Sequence, residues 1–382
     1  MADSPSALSS GLHGDPSTRW LQDLMSFAHG HQASDIHFEP SAAGLGVRLR
    51  IDGQLQAYPA PNGQWRDRIV SKIKVLSRLD IAEKRLPQDG RLQWSLSDAS
   101  LSLRVSTLPT VHGEKLVLRL LPTEQRPRAI DSLGYTRDQL HQVRRALASP
   151  HGLILVTGPT GSGKSATLMA CLQSLLHLSL NITTVEDPVE QMVSGINQVS
   201  INEKIGFDFP TALRALLRQD PDVLMVGEIR DLPTAMVAAQ AAQTGHLVLS
   251  TLHTNTAASA VLRLRHMGVP SDHLAASLRL VCAQRLVRLL CLHCRSQNAP
   301  GRWQAVGCPR CQGGYAGRQA VHEVIPMTNE LNELVLSDTD ALGLEQAARE
   351  QGVLSLGDAV ANMVAEGLTS QAEADRVSQS EA

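Results

Sequence analysis

One short motif constrains what this chain can fold into more than any other feature of its sequence. It matches the phosphate-binding loop pattern G-x-x-x-x-G-K-[ST] at every position, and it reads Gly158-Pro159-Thr160-Gly161-Ser162-Gly163-Lys164-Ser165. The apolar run 153–156 before it predicts a strand, and residues 166–176 after it predict a helix. A glycine-rich turn between a strand and a helix directs backbone N–H groups and the helix N-terminus at an anion.

This motif predicts that the chain binds a nucleoside triphosphate. We expect the backbone from Gly158 to Ala166 to surround the phosphates, with the Lys164 ammonium on the β- and γ-phosphates. The Ser165 hydroxyl is expected to be a ligand of Mg²⁺. The alternative, a glycine-rich turn without a ligand, does not account for the strand and the helix on its two sides.

The composition is that of a soluble globular protein with no global attraction for nucleic acid. Of the 382 residues, 43% are hydrophobic, 19% are charged and 3% are aromatic, and the formal net charge is −2. Base-stacking platforms are therefore not expected. No run of about 18 residues is both apolar and free of charge. The most apolar long segment, 274–292, contains three arginines and predicts a buried helix.

The pattern of strands and helices predicts an α/β protein with two folded domains. Residues 19–121 read as a small N-terminal α+β domain, and the prolines and charges of 122–135 indicate a linker. From 136 to 373, strands alternate with helices, which is typical of a parallel sheet covered on both faces. Its candidate strands are 153–157, 181–185, 223–227 and 246–251. Amphipathic helices are predicted over 328–373, and flexible tails over 1–18 and 374–382.

Acidic residues follow two of the predicted strands. Glu228 ends a buried strand and is expected at the same sheet edge as Lys164, where a carboxylate can polarise an attacking water. Glu186 and Asp187 end another strand and are expected to complete the Mg²⁺ shell through water. The alternative for these acids is a structural role as a helix cap or a turn residue.

Two histidines mark the boundaries of the strand predicted over 246–251. His253 lies on the edge expected to hold the phosphates, and together with His246 it suggests a sensor of the γ-phosphate. For a single histidine, a satisfied structural role remains the alternative.

Four cysteines predict a metal centre. Cys291 and Cys294 form one C-x-x-C pair, and Cys308 and Cys311 form a second pair after 13 intervening residues. Two such pairs supply four thiolates for tetrahedral Zn²⁺, which would be structural because no ligand position stays open. Unmetallated thiols are the alternative. The remaining two, Cys171 and Cys282, lie in apolar segments and are expected in the core.

The order of these motifs resembles that of the secretion ATPases of type II secretion and type IV pilus assembly. The shared motifs are the phosphate loop, the Glu186-Asp187-Pro188 box, the Gly227-Glu228-Ile229-Arg230-Asp231 strand end and the two-histidine box. Five N-terminal segments also resemble that family: 34–40, 48–53, 85–91, 104–107 and 113–115. The similarity covers roughly residues 20–365.

The resemblance implies a PAS-like N-terminal domain, a RecA-like ATPase domain, and ATP with Mg²⁺ as the substrate. It also implies a homo-hexamer in which each nucleotide lies between the N-terminal and C-terminal domains. Arg48, Arg50, Arg91 and Arg104 lie in matching segments and are candidate arginine fingers, which stabilise charge on the transferred phosphoryl group. Arg214 and Arg218 are weaker candidates for a subunit contact. The alternative for each arginine is a solvated charge.

The tetracysteine segment and the run Gly314-Tyr315-Ala316-Gly317-Arg318 resemble the assembly and secretion branch rather than the retraction branch. This implies a cytoplasmic protein bound through partners to the inner membrane, where it drives assembly of pilin-like subunits. Members of this branch often begin with an additional docking domain. Because only the 1–18 tail precedes the first predicted helix, docking on the polytopic platform protein through the remaining surface is expected. A nucleotide-gated adaptor with little hydrolysis and a DNA-uptake motor stay open as alternatives.

Overall fold

The computed structural model describes residues 15–97, 99–121, 129–176, 179–299 and 301–379. The chain divides into two units, with the boundary after Gln125. Residues 1–14 of the predicted N-terminal tail and residues 122–128 of the predicted linker lie outside the described residues. No helix among the described residues is both long enough and apolar enough to cross a membrane.

The first unit is an antiparallel sheet with helices on one face. Its six strands have the order β3-β2-β1-β6-β5-β4. The helices are α1 (Pro16–Gly30) and α2 (Arg66–Leu76), and the strands are β1 (Asp35–Ser41), β2 (Gly44–Ile51), β3 (Gln54–Tyr58), β4 (Gln88–Ser95), β5 (Ser100–Thr110) and β6 (Gly113–Leu121).

Alternation along the strands of this sheet separates an apolar face from a charged one. On β1, Ile36 and Phe38 are fully buried against residues of α1 and α2, whereas Asp35 and Glu39 lie on the other face. The charged face carries the N-terminal arginines that the sequence singled out. The first helix begins at Pro16 rather than near residue 19, because the Asp15 side chain caps it by accepting from the Ser17 N–H.

The second unit is a mostly parallel sheet with helices on both faces. Its strand order is β15-β12-β7-β11-β10-β8-β9. The strands are β7 (Gly152–Thr157), β8 (Ile182–Glu186), β9 (Asn197–Ser200), β10 (Val223–Val226), β11 (Leu247–Leu252), β12 (Leu278–Leu290) and β15 (Tyr315–Pro326), and a separate hairpin consists of β13 (Ser296–Ala299) and β14 (Arg302–Gln304). Helices cover the sheet: α3 (Arg137–Leu147), α4 (Lys164–Leu175), α5 (Phe209–Leu216), α6 (Leu232–Gln243), α7 (Ala257–Met267), α8 (Ser271–Ser277), α9 (Asn329–Leu336), α10 (Ala341–Glu350), α11 (Leu356–Ala365) and α12 (Gln371–Gln379).

The register of the parallel strands brings their carboxyl ends to one edge. Thr157 of β7 lies opposite Leu252 of β11, and Val226 of β10 lies opposite both Ser250 and Val185. Because the chain leaves each strand at this edge, the phosphate loop and the residues after β8, β10 and β11 meet there. The central strands β7, β10 and β11 are buried along their whole length, which explains why they are mostly apolar rather than alternating.

The prediction of a buried helix over 274–292 is wrong. Helix α8 ends at Ser277, and residues 278–290 form β12, which pairs in parallel with β7 and antiparallel with β15. A continuous apolar run has the same appearance in a buried strand and in a buried helix, so periodicity does not separate the two. Pairing with two neighbouring strands selects the extended form.

The C-terminal helices continue beyond the predicted limit at 373. Helix α12 extends to Gln379, so the prediction of a tail from 374 is wrong for the described residues. Glu373 explains this extension. Its carboxylate is fully buried and accepts hydrogen bonds from Arg288 of β12, at 2.6 and 3.0 Å, and from Arg376 one turn further along the helix.

Candidate active site and metal centre

The phosphate loop leaves β7 in a backbone conformation that glycine adopts readily and other residues rarely do. The φ angles of Gly158, Gly161 and Gly163 are 149°, 81° and 93°. A Cβ at Gly158 would lie 2.5 Å from the Gln284 carbonyl oxygen, and one at Gly163 would lie 2.9 Å from Gln284 Nε2. The loop therefore packs so closely against β12 that a side chain at either position would displace it.

Lys164 begins α4 and is held inside the loop. Its Nζ donates to the carbonyl oxygens of Gly158 at 2.7 Å and Pro159 at 3.1 Å. Burial lowers the pKa of Lys164 to about 8, against the opposing effect of the Glu228 carboxylate. This buried ammonium donates to backbone carbonyls and has no carboxylate in hydrogen-bond contact among the described residues. A phosphate would supply the anionic partner.

The residues around Lys164 fit the phosphate chain of ATP. The Ser162 hydroxyl is buried and has no hydrogen-bond partner among the described residues. The N-terminus of α4 carries no side-chain cap, so its N–H groups remain available to an anion. Ser165 is exposed at the start of the same helix, where its hydroxyl is free to reach a cation beside the phosphates.

Glu228 lies at the carboxyl end of β10, beside the loop. One of its carboxylate oxygens is 3.0 Å from His253 Nε2, and Arg230 contacts the other. Burial raises the pKa of Glu228, but the hydrogen bonds from Arg230 and His253 outweigh burial and leave this pKa below its usual value. Glu228 is therefore an ionised carboxylate near neutral pH, as a residue that polarises water must be.

His253 connects the acid to the lysine. Its Nδ1 lies 3.4 Å from Lys164 Nζ, on the side opposite the Glu228 contact. A carboxylate accepts hydrogen bonds and an ammonium donates them, so these two contacts suit the tautomer that donates from Nε2 and accepts on Nδ1. The structure thus joins Lys164, His253 and Glu228 in one chain of polar contacts at the phosphate edge.

The acids at the carboxyl end of β8 lie further along the same edge. Glu186 accepts hydrogen bonds from Thr184 Oγ1 at 2.6 Å and from Gln198 Nε2 at 3.1 Å. Asp187 is 3.6 Å from Arg230, the guanidinium that also contacts Glu228. Arg230 therefore links the two acidic segments. Sequence reasoning assigned it no role, although its position two residues after Glu228 was the available signal.

The prediction that His246 contributes to a phosphate sensor is wrong. His246 precedes β11, at the end opposite His253, and its ring contacts the Ala241 carbonyl at 3.1 Å. A six-residue strand spans roughly 20 Å, so the two histidines lie at opposite edges of the sheet. His246 is a structural residue at the C-terminus of α6.

The N-terminal arginines fall into two groups on the charged face of the first unit. Arg48 forms a two-pronged ion pair with Glu39, at 2.6 and 2.9 Å, and Arg50 donates to the Gly53 carbonyl at 2.9 Å. These partners occupy both side chains.

Arg91 and Arg104 form the second group. They lie opposite each other on β4 and β5, and Arg104 lies opposite Arg119 on β6. Arg119 forms an ion pair with Asp35 at 2.9 Å. The facing guanidinium groups of Arg91 and Arg104 therefore remain the pair that destabilises the sheet unless an anion compensates it. Sequence reasoning missed Arg119, which the strand register alone reveals.

The four cysteines of the two C-x-x-C pairs converge. Their sulfur atoms all lie within 4.8 Å of one another, with Cys291 and Cys308 at 4.0 Å and Cys294 and Cys311 at 3.6 Å. Sulfurs about 2.3 Å from a tetrahedral Zn²⁺ would be about 3.8 Å apart. The arrangement therefore fits a structural zinc ion.

The segment between the two pairs is tied to the C-terminal helices. The Arg295 guanidinium stacks on Trp303 at 4.5 Å and donates to the Gly367 carbonyl at 2.6 Å. Cys171 and Cys282 lie away from this module in the core, as expected, and burial raises the pKa of both thiols.

Comparison with known proteins agrees with this site. Residues 13–376 match the family described as type II/IV secretion system protein. The chain is 47% identical over 365 residues to the type II secretion system protein HxcR of Pseudomonas aeruginosa, covering 95% of this chain and 78% of that protein. It is 44% identical over 381 residues to the type IV pilus assembly ATPase PilB of the same organism, covering 95% and 67% respectively.

The fold also matches a solved structure. The ATPase DotB of Legionella pneumophila superimposes with a TM-score of 0.72 at 20% identity, over 95% of this chain and 96% of that one. From the family match, these relatives and the phosphate-loop site, we conclude that the chain belongs to the type II/IV secretion system protein family and is an ATPase of the secretion and pilus-assembly type.

Proposed function

We propose that this chain is the subunit of a hexameric, Mg²⁺-dependent ATPase that drives assembly of pilin-like subunits at the cytoplasmic face of the inner membrane. The observation that carries this proposal is the contact chain from Lys164 through His253 to Glu228 beside the phosphate loop. A site that only binds nucleotide has no need of an ionised carboxylate at this position.

Each residue of the contact chain has a chemical task. Lys164 leaves the loop carbonyls and binds the β- and γ-phosphates, so its charge gains the partner that it lacks in the free protein. Glu228 accepts a hydrogen bond from the attacking water and orients it toward the γ-phosphorus. His253 contacts both groups and therefore responds when the γ-phosphate leaves.

The metal ions have separate tasks. Ser165 would hold Mg²⁺ directly, and Glu186 would hold it through water. When bound, the ion would neutralise charge on the phosphates. Cys291, Cys294, Cys308 and Cys311 would hold Zn²⁺, which organises a segment with little core of its own.

Arginines of the first unit are proposed to complete the site of another subunit. Arg91 and Arg104 are the facing like charges described above, and a transferring phosphoryl group would compensate them. Arg48, Arg50 and Arg119 are weaker candidates because each already has a partner. A site shared in this way requires a closed ring, and a hexamer is what the family resemblance implies.

Mixing two inactive variants tests the shared site. Lys164→Ala and Arg104→Ala should each abolish phosphate release, whereas their mixture should regain a fraction of wild-type turnover, because some interfaces then combine an intact loop with an intact arginine. A mixture of Lys164→Ala with Glu228→Gln is the control, since both residues belong to one unit and no interface is repaired. Wild-type protein without turnover would favour the nucleotide-gated adaptor. Folded variants that are inactive alone and stay inactive when mixed, or an Arg104→Ala protein with wild-type turnover, would contradict the shared site.

The machine and its partner are inferred from the relatives, whose names are those of type II secretion and type IV pilus proteins. We propose the polytopic platform protein of such a machine as the membrane partner. Flotation with vesicles that contain this platform protein should recruit the chain, and vesicles of lipid alone should not. Equal recruitment by both would contradict docking through a partner.

A further inference from the structure

Gln284, a residue of β12 that the sequence did not single out, contacts the phosphate loop from within the protein. It is 2% exposed. Its Nε2 donates to the Ser162 carbonyl at 2.8 Å, and its Oε1 accepts from Thr167 Oγ1 at 2.7 Å. Because a carbonyl only accepts, the amide group that faces Ser162 must be the NH₂, so both ends of the side chain are fixed.

Sheet register delivers Gln284 to this place. The preceding residue, Ala283, lies opposite Thr157, the last residue of β7 before the loop begins. The following residue, Arg285, is also buried and donates to the Asn255 carbonyl at 3.0 Å, just after His253. Consecutive residues of β12 therefore contact the phosphate loop and the segment that carries the histidine.

The hydrogen bond to Ser162 determines the direction of a phosphate-binding group. In a trans peptide the C=O and the following N–H point in opposite directions. With the Ser162 carbonyl held toward Gln284, the N–H of Gly163 points away from β12. Backbone N–H groups of such loops are the donors that bind the phosphates.

We propose that Gln284 is a positioning residue that holds the phosphate loop in its nucleotide-binding conformation, with Thr167 as its support. The proposal deepens the ATPase function proposed above and rests on it. Gln284 acts through the loop backbone rather than by contact with the nucleotide.

The test compares ADP affinity among matched variants of the full-length protein. Gln284→Met keeps the length of the side chain but removes both hydrogen bonds, and we expect it to raise the Kd for ADP about tenfold, the size of one hydrogen bond to a neighbouring group. Gln139→Met is the control. Gln139 is another buried glutamine of the second unit, whose amide bonds to the His322 carbonyl and to the Thr136 N–H.

Both variants should lower the melting temperature similarly, but Gln139→Met should change the Kd less than twofold. Thr167→Val removes the hydroxyl that holds the Gln284 amide and should raise the Kd about threefold. The double variant Gln284→Met/Thr167→Val should bind ADP no more weakly than Gln284→Met alone, because the two residues act in series.

Several results would overturn the proposal. These are a folded Gln284→Met protein with wild-type affinity, equal loss of affinity in Gln139→Met, or additive effects in the double variant. If Gln284→Met does not fold, wild-type affinity in Thr167→Val overturns it. Wild-type protein that fails to bind ADP would instead refute the proposed function, so the two failures are distinguishable.

Discussion

The nucleotide site and the tetracysteine module are built in opposite ways. The nucleotide site collects Lys164, Glu228, His253 and Gln284 from distant parts of the sequence, and parallel strand register holds them at one sheet edge. The module places its ligands on two short turns between residues 291 and 311. The first site therefore rests on the hydrophobic core, whereas the second is proposed to depend on a bound metal ion. This contrast predicts that the two sites fail independently.

The largest effect is expected from removing a zinc ligand. Cys308→Ser should abolish binding of one zinc per chain and unfold the module, since structural zinc contributes roughly 10 kcal/mol or more to the folding of such small units. Elemental analysis and hydrogen exchange of residues 291–311 measure this. Cys171→Ala, a core cysteine, is the control and should retain zinc. A Kd for ADP that rises more than threefold in Cys308→Ser would show that the two sites do not fail independently.

Removing the carboxylate at the nucleotide site should impair turnover and leave the tetracysteine module intact. We expect Glu228→Gln to lower kcat by about 10²- to 10⁴-fold, because the attacking water loses its acceptor. Steady-state phosphate release measures kcat, and zinc content should not change. The exposed Glu366→Gln is the matched control and should keep wild-type turnover. Wild-type hydrolysis in Glu228→Gln would contradict the proposal that Glu228 orients the attacking water.

A change midway along β12 tests whether the two sites communicate. Glu373 holds α12 on β12 through Arg288, which lies between Gln284 and Cys291. Glu373→Gln should lower the free energy of unfolding by about 2–3 kcal/mol, because Arg288 loses a buried charged partner. Chemical denaturation measures this, again with Glu366→Gln as control. Changes at both the zinc and the ADP sites would show that β12 couples them.

The same residue gives a pH dependence with a definite sign. Burial raises the pKa of Glu373, but hydrogen bonds from Arg376 and Arg288 outweigh it, so this pKa lies below its usual value in the folded protein. The stabilisation is therefore present above the unfolded pKa and is lost as pH falls through the folded one. The difference in stability between wild type and Glu373→Gln should shrink on acidification. A constant difference would contradict this assignment.

The smallest expected effect is the pH dependence of nucleotide binding. Because the pKa of Lys164 in the free protein is about 8, this group is partly neutral at mildly alkaline pH, whereas bound phosphate favours its charged form. Binding should take up a proton, and the Kd for ADP should rise about three- to tenfold between pH 7.5 and 9. Calorimetry in buffers of different ionisation enthalpy measures the uptake. A flat Kd would indicate that Lys164 is fully charged before binding.

Local patterns in the sequence predicted the elements that depend on few residues. The phosphate loop, the strands around it and the C-x-x-C pairs follow from spacing and residue type, because turn geometry and metal ligation are short-range properties. The α/β class followed from alternating strands and helices. Features that depend on contacts between distant parts of the chain were harder to predict from the sequence. Residues 278–290 were predicted as a helix because buried strands and buried helices share an apolar sequence.

By itself, the sequence determined that this chain has a phosphate loop with an acid and a histidine on neighbouring strands. It also determined a site with four cysteine thiols. The tertiary structure decided which residues share an edge. It placed His253 beside Lys164 and His246 at the far end of the strand, aligned Arg119 with Arg104, and brought Gln284 against Ser162. The reason is that strand pairing joins residues far apart in the chain, and register is set by packing of the whole sheet.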